Sequence, residues 1–135
     1  MTAMGLMFAS AAILLGLGGL HLVFTFWGNR LRPRDPSLPA LMRESSLVLT
    51  SETDMWRAWV GFNASHSMGA ILFGLIYGYL SLKQPALLFG SPFLLSVGAL
   101  MLAGYALLGK FYWFSVPFTG ICLSCLCYLA ACLLK

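Results

Sequence analysis

The sequence predicts an all-α fold: an integral membrane, up-down four-helix bundle with a short interfacial helix in its first loop. Three observations carry this reading. Of 135 residues, 60% are hydrophobic and 9% charged, whereas an ordinary soluble domain carries roughly 25% charged residues. A soluble monomer of this size needs more polar surface than that, and the same figures exclude intrinsic disorder. The apolar residues fall in runs at about 3–27, 56–82, 87–108 and 111–134, each near the roughly 20 residues a helix needs to cross about 30 Å of hydrocarbon. Tight joints at 83–85 and 109–110 make consecutive helices antiparallel. The whole of 1–135 reads as a single transmembrane domain. A nucleic-acid partner is excluded, because eight Lys and Arg and a net charge of +4 build no basic face.

The first run, with its core AAILLGLGGLHLVFTFW, lacks the basic start of a signal peptide and is too apolar for too long. It is expected to remain as a span. The loop that follows, 28–55, holds all four carboxylates and half of the basic residues. GNRLRPRDPSLP should run as extended turns. Ser37 is then placed to cap an amphipathic helix over about 38–49, lying on the membrane surface or folding over the bundle. Arg30, Arg32 and Arg34 suit lipid phosphates and mark topology; Arg34 is also a candidate for binding an anionic ligand.

TSETDMW opens the second span. Ser51 with Asp54 fits a capping box. Glu52 and Asp54 fall in the expected first turn, where the helix dipole favours negative charge, and Asp54 can pair with Arg57. A gating carboxylate at the mouth of the bundle is the functional alternative for Glu52, Asp54 and Arg57.

The only two histidines, His21 and His66, both lie inside apolar runs. His21 is about 10 Å and His66 about 15 Å below the same interface, by helical rise. Gly18, His21, Thr25 and Gly28 make one stripe. Asn63, His66, Ser67, Ala70, Gly74 and Tyr77 make another. Small residues allow close approach and polar ones avoid lipid, so both stripes are expected to face the interior. The plain reading is hydrogen bonding that glues helices, worth about 0.6 kcal/mol per bond on average. The functional readings are proton relay, acid–base chemistry on a lipophilic molecule, and haem ligation by His21 and His66 as a remote alternative. No other cofactor and no metal site is expected, since zinc would need a third ligand.

The third run has a candidate small-residue seam at Ser96, Ala99, Ala103 and Ala106, and the fourth at Gly120, Ser124 and Ala131. Cys122, Cys125, Cys127 and Cys132 all lie in the fourth run. There cysteine behaves as a small apolar residue, although CLSC resembles the CxxC of vitamin K epoxide reductase, a four-helix membrane enzyme. That family also relays electrons from a loop cysteine pair, and here no cysteine precedes Cys122.

Basic residues set the direction. Arg30, Arg32, Arg34, Arg43, Arg57 and Lys110 lie toward the first and third loops, against Lys83 and Lys135 on the other side. This bias predicts a cytoplasmic first and third loop with both termini outside.

HLVFTFWGNRLRPRD and MWRAWVGFNASHSMGAILFGLIYGYL resemble an uncharacterised family of small bacterial integral membrane proteins. Its members pair an HLxxTF first span with a basic PRD loop and a GFNxSHSxG second span. The resemblance spans roughly 21–80. It implies a bacterial inner membrane location, and that the His21 stripe, the Arg34–Asp35 loop and the Asn63/His66 stripe belong together. It supplies no reaction.

The expectation is an intramembrane site that binds a lipophilic small molecule. His66 and then His21 would be the acid–base groups, and isomerase-like proton transfer is the chemistry that needs no cofactor. Asn63, Ser67 and Thr25 would orient the ligand, with Trp56 and Trp59 at the mouth. The alternative is a non-catalytic accessory subunit of a larger membrane complex, or a homo-oligomer, surrounded by membrane lipids.

Overall fold

The computed structural model describes residues 2–135. The chain is mostly helical. Its elements are α1 (Ala3–Phe26), α2 (Leu38–Glu44), β1 (Ser46–Leu47), β2 (Thr50–Asp54), α3 (Met55–Lys83), α4 (Pro85–Gly90), α5 (Pro92–Tyr112) and α6 (Ser115–Leu133). Among the described residues, α1, α5 and α6 are long and apolar enough to cross a membrane. The 29-residue α3 is longer still, but Asn63, Ser65, His66 and Ser67 in its first half dilute its apolar character.

Several boundaries differ from expectation. The helix expected over 38–49 ends at Glu44, and an antiparallel hairpin follows, pairing Ser46 with Asp54 and Leu47 with Thr50. Ser45 turns to extended backbone (φ −99°, ψ 113°), and Thr50 and Thr53 of β2 are better strand than helix formers. Ser37 occupies the N-cap position with αR backbone and makes no side-chain cap. Its hydroxyl donates instead to Asp35 Oδ1 at 2.7 Å.

Ser51 lies in β2 rather than capping α3, and Glu52 is in the strand rather than a first helical turn. Asp54 is the cap: its Oδ1 accepts from the Arg57 amide at 2.8 Å. The third apolar run is broken at Ser91, whose extended backbone (φ −104°, ψ 104°) is what the residue before Pro92 prefers. The Ser91 hydroxyl then accepts from Leu94 N at 3.3 Å and starts α5. The expected joint at 109–110 is helical; α5 runs on to Tyr112, and the break falls at Trp113 and Phe114.

The chain divides into two compact units, one made of Met1–Leu17 and Ala70–Lys135, the other of Gly18–Gly69. In the first unit, Met7, Leu14, Phe73, Leu88, Leu102, Ile121 and Tyr128 are core residues. Polar groups stitch this core together. Ser124 Oγ donates to the Ser10 carbonyl at 2.9 Å. Its one proton is thereby used, so Ser10 Oγ donates to Ser124 Oγ at 2.8 Å. Gly74 lets α3 lie against α1: a Cβ there would sit 2.6 Å from Leu15 Cβ and 2.8 Å from the Ala11 carbonyl oxygen.

Gly98 on α5 makes room for Tyr77 of α3 and Tyr128 of α6. Tyr77 donates to the Leu94 carbonyl at 2.6 Å, and Tyr128 to the Leu95 carbonyl at 2.7 Å. The outer faces of these helices are apolar, with Phe93 74% and Leu100 73% exposed. Apolar exposure on this scale is disfavoured in water and natural among acyl chains.

Candidate functional site: a His–Asn–His cluster beneath an arginine loop

The second unit, Gly18–Gly69, contains every candidate site residue singled out in the sequence apart from the cysteines of the fourth run. The end of α1 supplies His21 and Thr25, and the start of α3 supplies Trp56, Trp59, Asn63, His66 and Ser67. Their spacing of three or four residues places them along one side of each helix. Ser67 is fully buried, and His21, Thr25, Asn63 and His66 are partly buried.

The geometry fixes the roles of the polar atoms. Asn63 Nδ2 donates to the Trp59 carbonyl at 2.8 Å, so its Oδ1 faces His21 Nε2 at 2.9 Å. An amide oxygen only accepts, and His21 therefore carries its proton on Nε2. The His66 ring stands edge-on to that of His21, with centroids 5.3 Å apart and planes at 76°. Thr25 donates to the His21 carbonyl and Ser67 to the Asn63 carbonyl, both at 2.8 Å. These last two bonds satisfy hydroxyls within their own helices, as is common for Ser and Thr in apolar surroundings.

A cavity of about 30 Å³ lies beside the cluster, with Thr25, Gly28, Arg32, Trp56, Trp59 and Asn63 in its wall. That volume accommodates about one water molecule. Neither histidine lines it, nor does Ser67. Trp59 Nε1 donates to the Leu31 carbonyl at 3.4 Å, which ties the loop back onto α3.

Above the cavity the loop turns at Gly28, whose φ of +89° suits glycine. The Arg30 guanidinium lies 4.4 Å over the Phe24 ring, and that of Arg43 lies 5.0 Å over the Trp56 ring. Arg34, placed in the sequence as a ligand-binding residue, lines a separate open concavity of about 670 Å³. Asp35 accepts both the amide and the hydroxyl of Ser37 at 2.9 and 2.7 Å, and these bonds hold its carboxyl below the usual carboxylate range. Glu52 is exposed on β2. Arg57 Nε lies 3.5 Å from Asp54 Oδ2, so this pair serves the start of α3.

The structure thus brings His21, Asn63 and His66 together, and Thr25, Trp56 and Trp59 around the adjoining cavity. It places Glu52, Asp54 and Arg57 in the hairpin and cap. Sequence reasoning missed Arg43: its stacking on Trp56 joins α2 to α3 across the hairpin, and no local spacing signals such a pairing. Among the described residues, no group of three or more His, Cys, Asp and Glu gathers as metal ligands. The bond to Asn63 occupies His21 Nε2, so the geometry lends no support to haem ligation through that nitrogen. No family model, curated protein or solved structure matches this chain.

Proposed function

We propose that the chain is a four-span protein of a bacterial inner membrane, with α3 as the span additional to α1, α5 and α6. In this reading the first and third loops are cytoplasmic and both termini lie outside. The His21–Asn63–His66 cluster receives the polar end of a lipophilic small molecule. One observation carries this: two imidazoles 5.3 Å apart, one of them bonded to an amide, are partly buried between α3 and the apolar α1. Ionisable side chains in such surroundings mark functional sites.

The cavity of about 30 Å³ sets the scale of entry. It admits one polar atom, such as a hydroxyl or carbonyl oxygen, which would reach the cluster at Asn63, the cluster residue in its wall, while the body of the ligand stays among the apolar side chains and lipid. Asn63 would orient that oxygen and Trp56 and Trp59 flank it. His21 and His66, with ring centroids 5.3 Å apart, would be the acid–base groups of an isomerase-like proton transfer.

The test is lipid analysis of the purified full chain. A defined lipophilic molecule should copurify with the native chain, and His66→Ala and Asn63→Leu should lose it while Ser65→Ala keeps it. Retention in all three variants overturns the reading. A second reading, as accessory subunit or homo-oligomer, is favoured by one feature: Ser96, Ala99 and Ala103 form an exposed row of small residues on α5. Such rows let helices approach closely. Constant stoichiometry with another membrane chain after mild extraction would support it, and a lone monomer would refute it.

A further inference from the structure

The open concavity in the loop is lined by Arg30, Arg32, Arg34 and Arg43, with Trp56 at its side and no carboxylate in its wall. We propose that it binds a phosphoryl group, presented by an anionic membrane lipid headgroup or by free phosphate.

Several independent observations support this. Each carboxylate near the loop is placed or used elsewhere. Asp35 is held by Ser37, and Asp54 by Arg57. Glu44 and Glu52 are exposed and do not line the concavity. Among the described residues, the one salt bridge is that of Arg57 with Asp54, so the four lining guanidinium groups meet no carboxylate. Guanidinium is the planar, many-donor partner that phosphate prefers, often in bidentate pairs.

Two of the four groups are also held rather than loose. Arg43 is stacked on Trp56 and donates to the Pro39 carbonyl at 3.4 Å, and Arg30 is stacked on Phe24. Pro33, Pro36 and Pro39 form part of the wall and restrict the backbone that carries the arginines. A wall prepared in this way loses less entropy when it binds. The volume of about 670 Å³ falls within the range of small-molecule sites, roughly 300–1,000 Å³, so it has room for a lipid headgroup as well as for free phosphate. The proposal does not depend on the histidine cluster. It adds a site whose contents are charged, whereas the cluster is assigned an uncharged polar end.

The experiment titrates the full chain in neutral-detergent micelles with dioctanoyl phosphatidic acid, dioctanoyl phosphatidylcholine or inorganic phosphate, followed by native mass spectrometry. Phosphatidic acid is expected to bind at least about tenfold tighter than phosphatidylcholine, and more weakly as salt rises. Arg32→Gln/Arg34→Gln should lose about tenfold or more, Arg43→Lys should lose a smaller part by giving up its planar stacking, and Lys110→Gln should lose nothing. Inorganic phosphate binding as tightly as the lipid assigns the site to free phosphate, and weaker binding assigns it to the headgroup. Equal binding of the two lipids with no binding of inorganic phosphate overturns the proposal. So does unchanged phosphoryl binding in both the double variant and Arg43→Lys. Loss in His66→Ala alone leaves this site standing and bears only on the cluster.

Discussion

The bond between His21 and Asn63 can be measured by a double-mutant cycle. Replacing His21 with Ala removes the Nε2 donor, replacing Asn63 with Ala removes the Oδ1 acceptor, and the double variant removes both. The 2.9 Å contact is partly buried, and interhelical bonds of this kind couple by about 0.6 kcal/mol on average and at most about 1.7 kcal/mol. A coupling of about 0.6–1.7 kcal/mol is therefore expected, read from unfolding midpoints in mixed detergent micelles. Asn63→Ala should cost more than His21→Ala, since Asn63 also donates to Trp59. Nitrogen NMR on the native chain should find the His21 proton on Nε2, and Asn63→Ala should release that preference. Zero coupling, or a proton on Nδ1 alone, would refute the hydrogen-bond assignment and with it the role of Asn63 in orienting the cluster.

Other consequences can be checked alongside. Gly74→Ala, with backbone and Leu15 atoms 2.6–3.0 Å from the new Cβ, should destabilise by about 1–3 kcal/mol. Gly104→Ala, with nothing within 4 Å, should be neutral or stabilising by up to about 1 kcal/mol in thermal unfolding. Ser124→Ala strips the Ser10 hydroxyl of its partner and should cost about 1 kcal/mol or more, whereas Ser10→Ala/Ser124→Ala should cost no more than the single change. Asp35 has a lowered folded value, so the support it gives the loop turn is complete above the ordinary carboxylate range and is lost as pH falls through that lowered value. Titration by NMR should show Asp35 returning toward the ordinary range in Ser37→Ala.

The parts of the fold set by long-range apolar patterning were legible in the sequence. The run that ends at Trp27–Gly28 gives α1 to within a residue, since a helix in lipid ends where polar, left-handed backbone begins. The two polar stripes were legible for the same reason: spacing by three and four leaves Asn63, His66 and Ser67 on one side of α3 whatever they contact. Local competition was not legible. Thr50 and Thr53 favour the hairpin that forms over residues 45–54, whereas Leu38, Leu41, Met42 and Leu49 on one side suggested a longer helix. The break at Ser91 follows from Pro92, yet the surrounding leucines hide it in an average of apolarity. Gly109 looked like a stop but serves packing, since a Cβ there would lie 3.2 Å from Phe118. Arg43 on Trp56 could not be anticipated, because it depends on how the hairpin folds back.

Tyr77 of α3 and Tyr128 of α6, which both bond to α5, have a consequence for assembly. An oily rod can spin about its axis or slip along it at small cost, because one leucine fits much like the next. Hydroxyls that grip two successive main-chain oxygens, at Leu94 and Leu95, recognise the rod's own polar skeleton and remove that freedom. Rotation of α5 by one residue would forfeit both grips at once, so this pair acts as an index mark that keeps a largely interchangeable surface in a single register.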